Sequence, residues 1–355
     1  MVGDDWIASS IRILERQKIA HRSYEVTKQR LASACRAMFP GELLVVVGPS
    51  RVGKTRCVRD ALEVPDTNNP DAMERMRVVL VEAGNEGSSG QFSTKDFAMA
   101  CLKAIRHPVY GVAATDDPWE TRLNELLDRT PERRLWSSFA TALKCRQTEY
   151  LVIDEAHHVL YVPKGEEAAA RVLDSWKCLG NSTGVRLVLV GSYSLLSLIN
   201  LAPHLLGRQQ PLHFPRYRLG VAADIQAWEQ LLRTYSSLFK FQAGESLSTW
   251  NRLLFEGSLG RLGGLSLWLR TALARMQAEG ITHFDGEILK ATRLPPVYED
   301  AMLQEIIQGE EIFDRQTLER PAQPPSANMG ESSGKVKRAR PFQAKSIRNP
   351  AKGRG

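Results

Sequence analysis

The sequence predicts an α/β fold: a mostly parallel sheet wrapped by helices, then an all-helical unit and a disordered basic tail. Three observations predict it. Up to about residue 220, short apolar runs of strand length alternate with amphipathic stretches of helical period. From Val221 onward the strand signal vanishes while helical patterns continue. Beyond Arg320 the composition changes to Pro, Ser, Gly, Ala, Lys and Arg.

The elements follow in order. Residues 5–38 read as helical, with Ile7, Ile11, Ile13, Leu14, Leu31, Ala34 and Met38 as apolar positions. Pro40-Gly41 breaks that pattern before the first strand, LLVVV at 43–47. A glycine-rich turn leads into a helix over 54–63. Strand RVVLVE at 77–82 and a helix at 94–106 come next, then a loop at 107–118 and helices within 119–146. Strand YLVID lies at 150–154, a helix at 166–178, strand VRLVLVG at 185–191 and a short helix at 193–200. A fifth strand surrounds Leu212–Phe214. Helical patterns then occupy 222–241, 246–256, 261–279, 284–291 and 297–308. The resulting division is an N-terminal helical extension (1–40), an α/β unit (41–220), a helical lid (221–310) and a tail (311–355).

Composition excludes several classes. With 43% hydrophobic and 25% charged residues, the chain is of ordinary globular type. No apolar run approaches the ~18 residues of a membrane span. The acidic start MVGDDW lacks a secretory pattern. Five scattered cysteines without a CxxC pair argue against a disulfide framework or zinc site, and for a reducing cytosol. Nine of the 47 basic residues, but only one of the 40 acidic ones, fall in 320–355, leaving 38 basic against 39 acidic in the body. The tail therefore carries the whole +7 excess. Such a tail suits phosphate backbones or an acidic partner surface, and equally a solubilising end with no specific partner.

The first chemical motif is GPSRVGKT at 48–55, which fits G-x-x-x-x-G-K-[ST] directly after a buried strand and at the start of a helix. Gly48 and Gly53 let the backbone, through Pro49, Ser50, Arg51, Val52 and Arg56, wrap phosphates whose charge is met by exposed N–H groups. Lys54 is placed to reach the β- and γ-phosphates of ATP, and Thr55 to offer its hydroxyl to Mg²⁺. The second motif, LVIDEAHH at 151–158, is an apolar strand ending in two carboxylates. Asp154 would hold Mg²⁺, and Glu155 would polarise the attacking water. His157 and His158 lack metal-site spacing and read as satisfied or exposed histidines. Third, LVLVGSYS at 187–194 ends a strand in small polar groups, with Ser192 either sensing the γ-phosphate or capping the next helix. Fourth, Arg208, Arg216 and Arg218 follow that strand, and Arg208 is the candidate for a finger acting on a neighbour's γ-phosphate. Last, Arg261 opens the helix of EGSLGRLGGLSLWLRTAL, from which it can reach the nucleotide.

Together these residues resemble the AAA+ superfamily. Within it the chain is similar to the TniB/TnsC transposon ATPases, relatives of MuB and IstB, on LVIDEAHHV, LVLVGSYSLLSLI, LLGRQQPLHFPRY and GSLGRLGGLSLWLRTALARM. The resemblance covers about 20–310. It implies an ATP-loaded homo-oligomer, ring or filament, that assembles on double-stranded DNA without sequence preference. It further implies recruitment of a DDE transposase, a target selector of the TniQ type and a bacterial cytoplasmic, nucleoid-associated location. Ser192 departs from the threonine or asparagine common at the sensor position, and the basic tail is additional. Lys103, Arg106 and His107 are candidate DNA contacts. Two other readings stay open: a signalling or scaffold switch of initiator or STAND type, and a small-molecule kinase, against which Glu155 argues.

Overall fold

Five consecutive aliphatic residues form β1 (Leu43–Val47), and all five are buried, so neither face of this strand meets water. Such a strand belongs in the middle of a parallel sheet covered on both sides. The computed structural model, which describes residues 5–16, 22–64, 75–85, 90–111, 129–200 and 209–318, places it there. The sheet also contains β2 (Val78–Glu82), β3 (Tyr150–Asp154), β4 (Arg186–Gly191) and β5 (Gln209–His213), in the order β2-β3-β4-β1-β5 with every pair parallel. Pro211 is tolerated in β5 because that strand lies at an edge.

Alternation along the strands feeds two cores. Val45, Val47, Val81, Ile153 and Leu189 face one side, under α4 (Thr94–Ala104), α5 (Glu132–Cys145), α6 (Glu166–Thr183) and α7 (Ser194–Asn200). There Trp176 packs on Phe97 and Phe92 at ring separations of 5.1 and 6.3 Å. Leu44, Val46, Val152 and Val190 face the other side, under α2 (Arg22–Ala37) and α3 (Lys54–Ala61). The Tyr150 hydroxyl donates to the Cys35 carbonyl at 3.1 Å, fastening α2 to the sheet.

The helical unit has a third core. It is built by α8 (Ala222–Ser236), α9 (Asn251–Ser258), α10 (Leu262–Glu279) and α11 (Gly286–Thr292), with Trp228, Phe255, Leu265, Trp268 and Phe284 at its centre. The first helix, α1 (Asp5–Arg16), belongs to this core through Ile7 and Leu14, and its Ser10 hydroxyl donates to the Leu238 carbonyl at 2.6 Å. The expected N-terminal extension is thus divided: α1 completes the helical unit, and α2 completes the α/β unit. The last helix, α12 (Pro296–Leu318), is longer than the expected 297–308 and continues past the expected tail boundary at 311. Residues 319–355, where most of the basic tail falls, lie outside the described residues, as do 112–118 of the expected loop.

Glycines set the joints. Gly260 has φ +68, and a side chain there would run into the Tyr217 carbonyl, while one at Gly257 would strike the Trp268 ring. The GSLGRLGG stretch is therefore a packing pattern in which backbone must approach its neighbours closely. Gly260→Ala is expected to destabilise the protein by about 1–3 kcal/mol, read from urea unfolding. Thiol reagents should modify exposed Cys145 and Cys178 in the native protein, and reach Cys35, Cys57 and Cys101 only on unfolding. Burial pushes the Cys35 and Cys57 thiols up to about 11 and about 12, which withholds the reactive thiolate.

Candidate nucleotide site

The site begins where β1 ends. After Val47 the chain turns through Gly48–Gly53 and enters α3 at Lys54. Gly48 is needed because a side chain there would collide with the Phe214 carbonyl. Gly53 is needed because it caps α3 at φ 107, with no atom within 4 Å of where a Cβ would stand. No side chain caps this helix. An N-cap without a side chain leaves this end of the helix suited to an anionic ligand, with the helix dipole behind it.

Lys54 is buried, and its Nζ donates to the carbonyls of Gly48 and Pro49 at 3.0 and 2.9 Å. Desolvation lowers its pKa, while Glu155, Asp154 and Glu305 pull the other way. A buried ammonium held on two backbone carbonyls gains a far better partner when phosphate arrives. Thr55, half-buried, follows it on the first turn.

The carboxylates stand at the end of β3. Asp154 is buried, and its Oδ1 accepts the Glu155 N–H at 2.9 Å. Glu155 takes a left-handed conformation, φ 49 and ψ 32, which ends the strand and starts a 3₁₀ turn over Ala156–Tyr161. Burial, then the Asp154 charge, raises the Glu155 pKa above the usual carboxylate value, with Lys54 opposing. β4 lies between β1 and β3, so Ser192 at its tip stands between the P-loop and the carboxylates. The Ser192 hydroxyl shares a 2.7 Å hydrogen bond with Ser194, which opens α7.

The helical unit meets the P-loop directly. Buried Arg261 donates to the Ser258 carbonyl at 3.1 Å and the Ser50 carbonyl at 3.4 Å. The Gly263 N–H donates to the Arg51 carbonyl at 2.9 Å, an approach that any side chain at Gly263 would block. Beside this joint lies a cleft of about 920 Å³. Leu14, Tyr24, Val52, Arg56, Tyr235 and Leu262 line it, and its size and partly aromatic wall suit a base and sugar. Asp154 and Glu155 do not line it. No sequence motif announced Leu14, Tyr24 or Tyr235 here, because they arrive on α1, α2 and α8.

The three arginines that follow β4 fare differently. Arg208 lies outside the described residues. Arg216 forms a two-pronged pair with Glu310 of α12 at 3.1 and 3.2 Å, and Arg218 pairs with Asp314 at 3.3 Å. The same helix stacks Phe313 on His213 at 4.5 Å and passes Gly309 over the Tyr193 ring. Both arginines are thus engaged within the chain. Of the candidate DNA contacts, Lys103 is exposed, whereas His107 holds the turn after α4: its Nδ1 accepts the Val109 and Tyr110 N–H groups at 3.2 Å each. Burial lowers the His107 pKa, and Arg146 adds to this.

The donor set fits ATP with Mg²⁺. The open α3 terminus and Lys54 would hold the phosphates, and Thr55 and Asp154 would hold the metal, whose charge offsets that of the phosphates. Glu155 is the group beside them able to accept a proton from water. Lys54→Ala is expected to abolish ATP binding in a fluorescence titration. Glu155→Gln should retain binding and lose roughly 100-fold or more in turnover. The acid limb of the wild-type rate profile should fall above the ordinary glutamate pKa, because only the ionised carboxylate accepts a proton; Glu155→Gln should remove that limb.

Residues 37–199 match a family model described as an AAA domain. No curated protein matches the sequence. Among solved structures, the ADP form of the ORC2 protein of Aeropyrum pernix is 13% identical with a TM-score of 0.50, the match covering 79% of this chain and 71% of that one. A Walker-type ATPase of Pyrococcus abyssi is 14% identical over 87% of this chain and 79% of its own, with a TM-score of 0.48. Cdc6p from Pyrobaculum aerophilum is 15% identical over 78% and 67%, also with a TM-score of 0.48. At 13% identity the ORC2 likeness concerns fold. The matched AAA domain, the β2-β3-β4-β1-β5 sheet and the helices that follow it make this chain an ATPase with the P-loop AAA+ fold.

Proposed function

We propose that the chain is an ATP-driven assembly switch: ATP fixes the helical unit against the P-loop, copies then assemble on double-stranded DNA, and hydrolysis at Glu155 releases them. One observation carries the reading. The helical unit rests on two carbonyls of the phosphate-binding loop itself, Ser50 through Arg261 and Arg51 through Gly263. A ligand that orders this loop changes the seat of the whole unit, so nucleotide state becomes unit orientation. The body is near neutral, and sequence-independent DNA binding by such a body rests on repetition, since a few cations per copy add along the duplex. This reading is of the initiator-like switch type.

A narrower reading, a transposition regulator of the TniB/TnsC type, is favoured by the stretches LLGRQQPLHFPRY and GSLGRLGGLSLWLRTALARM. It adds a DDE transposase and a TniQ-type target selector as partners.

Mass photometry of the full chain on a DNA duplex tests the switch. With a slowly hydrolysed ATP analogue, oligomers are expected on DNA of any sequence; ADP or Lys54→Ala should leave monomers. Equal assembly in all three conditions would refute it. Co-assembly with a DDE transposase encoded beside this gene would select the narrower reading, and absence of that association would return the protein to the general one.

A further inference from the structure

Two buried carboxylates pin α12. Near its start Glu299 accepts two hydrogen bonds from Arg293, at 2.8 and 2.6 Å, and further along Glu310 accepts the pair from Arg216. Between these pins the helix passes the phosphate end of the site. Arg261 Nη2 donates to Met302 Sδ at 3.5 Å, and Gly309 lies on the Tyr193 ring.

Glu305 stands midway, one turn from Met302 and one turn from Gly309, at the rim of the face they share. Unlike Glu299 and Glu310 it is exposed, and among the described residues it has no hydrogen bond or ion pair of its own. Its charge still reaches the site. It favours the protonated forms of Lys54, Arg261 and Tyr193, which sit at the start of α3, at the start of α10 and just after β4. A carboxylate near both cations stabilises the empty site and repels the anion that replaces it. That repulsion grows with the charge of the anion, so it weighs more on ATP than on ADP, whose chain is one phosphate shorter.

We propose that α12 is a strap that sets the preference of the site between ATP and ADP: its Glu305 carboxylate, held in place by the pinned ends of the helix, opposes the terminal phosphate. The proposal rests on the reading of Lys54 as the phosphate partner. Triphosphate is accommodated when the strap yields at this point, and diphosphate leaves it in place.

Equilibrium titrations of the full chain with Mg²⁺ test this, using ADP and a slowly hydrolysed ATP analogue. Glu305→Gln is expected to raise affinity for the analogue about fivefold, and for ADP less than about twofold. A charge acting through partly solvated space is screened, so the gain should shrink by about half or more in roughly 1 M salt. Glu311→Gln removes the same charge nine residues past Met302, on the opposite face of the helix, and should leave both affinities unchanged. Both variants should keep the wild-type melting temperature, since neither side chain is buried.

An unchanged ATP-to-ADP ratio in Glu305→Gln, an equal gain for both nucleotides, or a gain indifferent to salt would overturn the proposal. So would weaker binding of the analogue, the result expected if Glu305 helped to hold the metal. In each of these cases, loss of binding in Lys54→Ala would still uphold the site. Binding that survives in Lys54→Ala would overturn the reading of the site and the proposal together.

Discussion

The start of α3, where the N-cap residue Gly53 offers no side chain to the first peptide N–H groups, is the constraint on which the rest depends. Such groups are costly unless water or an anion meets them, so their surroundings must be held open and rigid at once. Rigidity comes from β1, buried on both faces at the centre of the sheet. Openness comes from Gly53, whose φ of 107 turns the loop without placing a side chain over the helix end. Lys54 waits on the carbonyls of the same loop, and Asp154 and Glu155 arrive from a strand two places away. The order of the strands is what brings them within reach of one ligand.

The second structural theme is that the P-loop has two sets of neighbours. The α/β unit supplies its chemistry, and the helical unit supplies its outer wall. Arg261 and Gly263 both hold loop carbonyls, and a guanidinium buried between them carries a desolvation cost that a bound anion offsets. α12 then crosses from the helical unit to Tyr193, His213 and the Arg216–Arg218 segment. The pairing of Arg216 with Glu310 is nearly buried, so separating those partners leaves an uncompensated charge. Contacts of this kind make the nucleotide loop, the tips of β4 and β5 and the last helix mechanically continuous.

Much of this was legible because its signals are local. GPSRVGKT and LVIDE each place glycines, a cation and carboxylates on a strand end and a helix start, and those elements follow from apolar runs of four to six residues. The strand order is what sets Ser192 beside them. What escaped was long-range. Ile7 and Leu14 announce a helix, but nothing in their spacing says that it packs against α10 rather than standing apart. Glu310 and Asp314 lie more than ninety residues from the arginines they hold, and opposite charges at that distance carry no register. The cleft beside the P-loop draws Leu14, Tyr24 and Tyr235 from separate helices, and no window of sequence contains them together. His157 reads as a satisfied or exposed histidine, and its Nδ1 does accept the Ser192 N–H, at 3.5 Å.

The account's central claim is that nucleotide at the P-loop fixes the seat of the helical unit. Amide hydrogen exchange at Gly263 and the first turn of α10 tests it most directly, comparing the full chain with and without a slowly hydrolysed ATP analogue. The account predicts that exchange there slows about tenfold or more on binding, together with that of the P-loop amides. Protection confined to the P-loop, with α10 unchanged, would contradict it.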